Sequence, residues 1–124
     1  MNFNSNSSDW TPNAESWQVR VQVAQKASKE HLDILVNDEQ WQVRMAVAQQ
    51  GNKDHLDILV HDKVWLLRRH VAQQGHKEHL DILLNDVINA VRFVIAKQGA
   101  HLDVLIKDLH PRVRNEALKQ AGLV

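Results

Sequence analysis

The chain has 124 residues, 44% of them apolar, with Lys plus Arg and Asp plus Glu balanced at 15 each and no cysteine. That length gives one domain with room for a core, and the absent thiols exclude disulfides, thiolate zinc sites and cysteine-ligated iron–sulfur clusters. A formal net charge of zero removes the overall positive excess expected of a protein held to nucleic acid mainly through phosphates.

Residues 1–13, MNFNSNSSDWTPN, are crowded with Ser, Asn and Asp and contain Pro12. They read as a flexible N-terminal tail without the basic and apolar regions of a leader. No apolar run reaches the roughly 18 to 20 residues needed to span a bilayer, so the expectation is a cytoplasmic protein with no membrane partner. Residues 14–124 read as one helical repeat domain.

The repeat is explicit. WQVRVQVAQKASKEHLDILV begins at residue 17, WQVRMAVAQQGNKDHLDILV at 41 and WLLRRHVAQQGHKEHLDILL at 65. Aligned on Val19-Arg20, Val43-Arg44, Leu67-Arg68, Val91-Arg92 and Val113-Arg114, the copies are 24, 24, 24 and 22 residues apart. HLDIL recurs at His31, His55 and His79 and as HLDVL at His101; the last spacing reflects a two-residue deletion between Gly99 and His101. Four units and a terminal helix result. A fixed period of this size marks stacked units, none able to bury its apolar face alone.

Each unit splits into two helices. The first is expected to start after Asp38, Asp62, Asp86 or Asp108 as N-cap and to end near Gly51, Gly75 or Gly99 in a left-handed C-terminal position. The second follows Ser28 or Asn52 and runs through HLDILV for about two turns, marginal alone in water and open to 3₁₀ geometry. These signals predict nine helices and no strand, near residues 15–26, 29–36, 39–50, 53–60, 63–74, 77–84, 87–98, 100–106 and 110–120.

On a helical wheel, Trp41, Val43, Arg44, Val47 and Ala48 form one arc, the part most alike between copies and hence the expected packing face. The opposite arc holds Gln42, Met45, Ala46 and Gln49 in the second copy, Leu66, Arg69, His70 and Gln73 in the third, and Ala90, Phe93, Val94 and Lys97 in the fourth. Arg112, Asn115, Glu116 and Lys119 follow in the fifth. Packing does not dictate these residues, and in a solenoid such faces align into one surface. The candidate binding residues are therefore Gln42, Met45, Gln49, Leu66, Arg69, His70, Gln73, Phe93, Val94 and Lys97. The fourth copy is apolar nearly all round, from Val87 through Ala96. That pattern suits a helix buried on both sides, or a surface for a partner or self-association.

With Asp before the helix, Val-Arg followed by an apolar residue and Ala (VRMAVA, VRFVIA) and then Leu-x-x-Leu at a period of 24, the chain resembles the leucine-rich repeat variant family, a relative of HEAT repeats. The resemblance covers residues 14–124. It implies a right-handed α-solenoid of two helical layers; members of the wider HEAT-like class mostly bind proteins, while a few bind DNA or pigment and some are enzymes, and fold analogy does not choose among these. The type member's iron–sulfur cluster does not carry over, because its cysteines are missing here.

The HEAT resemblance also assigns a role to Asp and Arg six residues apart, at Asp38 and Arg44, Asp62 and Arg68, Asp86 and Arg92, and Asp108 and Arg114. Six helical residues turn through roughly 240° and rise about 9 Å, so side chains within a copy face apart and bonds between adjacent copies fit better. The expected ladder is Arg20 with Asp38, Arg44 with Asp62, Arg68 with Asp86 and Arg92 with Asp108, leaving Arg114 unmatched.

Histidines at one repeated position sit on stacked helices about 8 to 10 Å apart, too far to share a metal, and His76 with His79 lacks a third ligand. They read as helix-start groups bonded to backbone or solvent, and Asp33, Asp57, Asp81 and Asp103 as a solvated row. Trp17, Trp41 and Trp65 sit at the border of the two arcs. No Gly-rich phosphate loop and no nucleophile beside an evident base is present. The expectation is thus no enzyme, cofactor or metal, but a scaffold binding protein or peptide. The alternatives are nucleic-acid binding through Arg69, Lys97, Arg112 and Lys119, and a HEAT-like enzyme.

Overall fold

A computed structural model describes residues 16–124; the expected tail and Ala14 lie outside them. The described residues form nine helices and no strand. They fall into two compact units, one ending at His61 and the other spanning Asp62–Val124.

The first unit holds α1 (Trp17–Lys26), α2 (Lys29–Leu35), α3 (Trp41–Gln49) and α4 (Lys53–Leu59). The second holds α5 (Trp65–Gln74), α6 (Lys77–Leu83), α7 (Asn89–Lys97), α8 (Leu102–Leu105) and α9 (Pro111–Gln120). Each boundary lies within a few residues of its expected place, and the HLDIL segments are α-helical. In the first unit the long helices α1 and α3 pack side by side, each against its own short helix. In the second, α7 lies between α5 and α9, with α6 and α8 packed against the long helices.

The repeated apolar positions explain this packing. Val23 and Ala24, Val47 and Ala48, Val71 and Ala72, and Ile95 and Ala96 are completely buried on the long helices, and Leu35, Leu59, Leu83 and Leu105 are buried on the short ones. The alanines leave room for close approach of neighbouring backbones, while the leucines cross from the second layer into the same core. Helices of seven residues such as α2 and α4 cannot stand alone in water; these leucines hold them.

The turn before each long helix corrects one expectation. Asp38, Asp62, Asp86 and Asp108 are not the N-caps; those positions belong to Gln40, Val64, Ile88 and His110. Each Asp instead accepts a 2.9 Å hydrogen bond from the backbone N–H two residues on, an Asx turn that aims the chain into the helix. At the other end, Gly75 has φ 79°, a left-handed conformation that a β-carbon would strain.

Because the turn fixes the Asp, its carbonyl and carboxylate can each receive an arginine. Within a copy, Arg44, Arg68 and Arg114 donate through Nη1 to the carbonyls of Asp38, Asp62 and Asp108 at 2.7, 2.7 and 3.0 Å, as Arg92 does to Asp86. Between copies, Nε and Nη2 grip the carboxylate of the next Asp. The two distances are 2.7 and 3.2 Å for Arg20 with Asp38, 2.6 and 3.1 Å for Arg68 with Asp86, and 2.7 and 3.1 Å for Arg92 with Asp108. Three of the four expected rungs are therefore present as bidentate pairs. The expected Arg44 to Asp62 rung joins residues of different units and stays an expectation. The link inside each copy, from arginine to the Asp backbone, was not expected.

The deletion is taken up at the start of α8. His101 adopts φ 53°, the only non-glycine with positive φ among the described residues, and α8 keeps only four residues.

Arg68→Ala should lower unfolding free energy by about 3 kcal/mol, because it orphans a buried carboxylate, as measured by urea denaturation. Arg68→Lys should recover only part of that loss, since a point-like ammonium cannot serve the carbonyl and both carboxylate oxygens together. A second expectation concerns acid. Arg92 holds the Asp108 carboxyl below its ordinary value of 3.8. The pair therefore contributes fully above the unfolded-state value and is lost as pH falls below it. Melting temperature should drop on acidification through about pH 4, less steeply in Asp108→Asn.

Candidate functional site

On the second unit the outward positions of the long helices converge. Arg69 and Gln73 stand one turn apart on α5, while Ala90, Phe93, Val94 and Lys97 follow the i, i+3, i+4, i+7 spacing of a single face of α7. Together with Gln98 and with Arg112 at the start of α9, they line a groove of about 550 Å³, within the range of ligand-binding clefts. Ala90, Phe93 and Val94 are half-buried and form an apolar floor; Arg69, Gln73, Lys97, Gln98 and Arg112 are exposed around it.

Two contacts fix the walls. The Arg112 guanidinium carbon lies 4.3 Å from the centroid of the Phe93 ring, a cation–π arrangement that covers one face of the aromatic. Gln98 Nε2 donates to the Ala72 carbonyl at 2.8 Å, tying the end of α7 to α5. The lining holds three cations and no carboxylate.

Five of the ten expected site residues, Arg69, Gln73, Phe93, Val94 and Lys97, thus share one groove. Leu66 and His70, half-buried on α5, stand outside its lining. His70 Nε2 accepts from Gln74 Nε2 at 3.2 Å instead. Gln42, Met45 and Gln49 belong to the first unit. There the outer arc is less open than its polarity suggests: Gln42 and Met45 are half-buried, and Ala46 is only 2% exposed. Ala90 and Arg112 stood at variable positions but outside the ten; Gln98, one residue past the arc, was missed. Its signal was its place eight residues after Ala90, on the same face.

The apolar excess of the fourth copy divides accordingly. Val91, Ile95 and Ala96 are core, whereas Ala90, Phe93 and Val94 floor the groove. A second, shallower concavity of about 710 Å³ lies by Asp86, Arg92 and Asp108. Its main charged groups are already engaged in the arginine ladder.

The repeated histidines and acids, read separately from sequence, are partners. His55 Nε2 lies 2.7 Å from an Asp33 carboxylate oxygen, and His101 Nε2 lies 2.7 Å from Asp81. Asp33 also accepts from Lys29, and Asp81 from Lys77. The histidine is the chief cause, with the lysine second, that holds each carboxyl below its ordinary value. The two acids are therefore not simply a solvated row; they tie one short helix to the next. The His55 ring is buried, and its Nδ1 has no hydrogen-bond partner. Nε2 donates to the Asp33 carboxylate, which can only accept.

His76 and His79 meet edge to face with centroids 5.3 Å apart. No three His, Cys, Asp or Glu side chains among the described residues cluster as a metal site. No helix among the described residues is long and apolar enough to cross a membrane. Trp41 is 37% exposed and Trp17 and Trp65 are half-buried, in keeping with their place at the border of the two arcs.

No protein-family model matches the chain, and neither a characterised protein nor a solved structure was found to match it.

If the histidine–aspartate pairs are structural, His55→Ala should lower the melting temperature clearly more than Asp33→Ala. The first empties a buried site, whereas the second removes a group open to water. Equal effects would point to the exposed carboxylate as the stabilising element.

Proposed function

We propose that this chain is a non-catalytic recognition module. In this reading it is a right-handed solenoid of the leucine-rich repeat variant or HEAT-like kind that binds protein or peptide in the cytoplasm through the variable face of its long helices. The observation that carries the reading is the groove of the second unit. Side chains left undetermined by the repeat meet there around an apolar floor, while the repeated side chains are spent on core and ladder. An apolar centre with a polar, cationic rim is the anatomy of a small interface hot spot. Its lining holds no Ser, Thr, Cys, His, Asp or Glu to act as a nucleophile or general base, and its one amine, Lys97, is exposed, which speaks for recognition over catalysis. One observation favours a second reading: three cations with no carboxylate among them also suit a phosphate backbone.

Arg69→Ser with Phe93→Ser should leave helical content unchanged by circular dichroism, since neither side chain is core, and should weaken a captured protein partner by more than about 1 kcal/mol. Affinity capture with the intact and substituted chains, each with and without nuclease, makes the comparison. Capture indifferent to the substitutions would move the site elsewhere, and capture abolished by nuclease would favour nucleic acid.

A further inference from the structure

We propose that the groove between α5, α7 and α9 receives an acidic peptide segment in which an apolar side chain is flanked by carboxylates. The proposal rests on the reading of this groove as a peptide site and gives that site its ligand chemistry.

The charge around the groove is uncompensated. Arg69, Lys97 and Arg112 come one from each long helix of the unit, and none forms an ion pair with a carboxylate among the described residues. Their neighbours in sequence are engaged: Arg68 grips Asp86 and Arg92 grips Asp108, while Arg114 reaches the carbonyls of Asp108 and Leu109. Residues 62–124 carry ten Lys and Arg against seven Asp and Glu, an excess of three. Asp86 and Asp108 are taken up by the ladder and Asp81 by His101 and Lys77, and no carboxylate lines the groove, so its three cations set a positive field over the apolar floor. Such a field attracts carboxylates and rejects basic partners.

The floor decides the middle of the ligand. Half-buried Ala90, Phe93 and Val94 gain by covering an apolar side chain, and the exposed Gln73 amide is free to hydrogen-bond a peptide backbone. Pinned by Ala72, Gln98 brings its wall to the complex already ordered, which lowers the entropic cost of binding.

The same features disfavour nucleic acid. Three cations allow few phosphate contacts, and the whole chain has no net positive charge to add to them. Phe93, the one aromatic in the lining, already has one face covered by Arg112 and makes a poor stacking platform for bases.

The test pans a phage-displayed library of random peptides on the whole chain. It then compares by calorimetry a synthetic peptide Glu-Asp-Leu-Asp-Glu with its uncharged isostere Gln-Asn-Leu-Asn-Gln, and adds a short single-stranded oligonucleotide as rival. Support consists of enrichment of acidic sequences and binding of the acidic peptide at least roughly tenfold tighter than the isostere. Arg69→Glu with Lys97→Glu should weaken that peptide by about tenfold or more, and Arg69→Gln with Lys97→Gln by less. Lys63→Glu with Lys107→Glu, the same change in net charge outside the groove, should leave affinity within about twofold, since exposed charges at a distance are screened. Circular dichroism establishes folding for each variant. Enrichment of non-acidic peptides that are still lost in Arg69→Ser with Phe93→Ser would overturn the acidic ligand and leave the peptide groove standing. Retention of the oligonucleotide with no peptide enriched would overturn both, as would equal losses in the two charge-reversed pairs for any use of this groove.

Discussion

One guanidinium reaching two places at once sets the register of successive helical pairs within the second unit. Nη1 closes onto the carbonyl of the Asp in its own copy, while Nε and Nη2 hold the carboxylate of the following one, seen complete at Arg68 and Arg92. The paired groups are mostly buried, with side-chain exposures of 15% and 6% for Arg68 and Asp86, so desolvation offsets much of the Coulomb attraction. What the fork supplies beyond net stability is position. A stripe of Val, Ala and Leu could slip by a helical turn and still bury similar area, whereas a planar fork with three fixed acceptors fits in one place only.

The histidine–aspartate contact plays the corresponding part among the short helices, with a different environment at its two ends. The His55 ring is enclosed, while Asp33 is about half exposed and shared with Lys29. Polar ties of this kind let the core consist of small and branched apolar residues without losing its alignment. With core and ladder supplied by repeated residues, the outward positions of α5, α7 and α9 take part in neither, and cations and an aromatic gather there.

Much of this was readable from the chain because it depends on period. Spacing of 24 gave the helices, Gly75 its left-handed turn, and the Asp and Arg positions, with the HEAT resemblance, gave three rungs of the ladder. What escaped was contact at distances the alignment did not compare. Asp33 and His55 are 22 residues apart, each unremarkable in its own copy, and only stacking brings them together. The Asp-to-helix offset escaped too, because an Asx turn and an N-cap use the same residue types one short step apart. The groove was half visible: variability marked Arg69, Phe93 and Lys97, but no sequence pattern separates an outer position that is covered, as Ala46 is, from one that lines a cleft, as Ala90 does.

The shortened last repeat shows what the array measures. Between Arg92 and Asp108 there are two residues fewer than between Arg68 and Asp86, and between Asp81 and His101 two fewer than between Asp33 and His55. Nevertheless the clasps close at matching lengths, because the missing residues come out of the turn where His101 takes its left-handed backbone. Repeat spacing is thus gauged from clasp to clasp and not along the contour of the chain. The junction after Gly99 is a splice point, where length can be gained or lost while the stacking that presents the groove stays in phase.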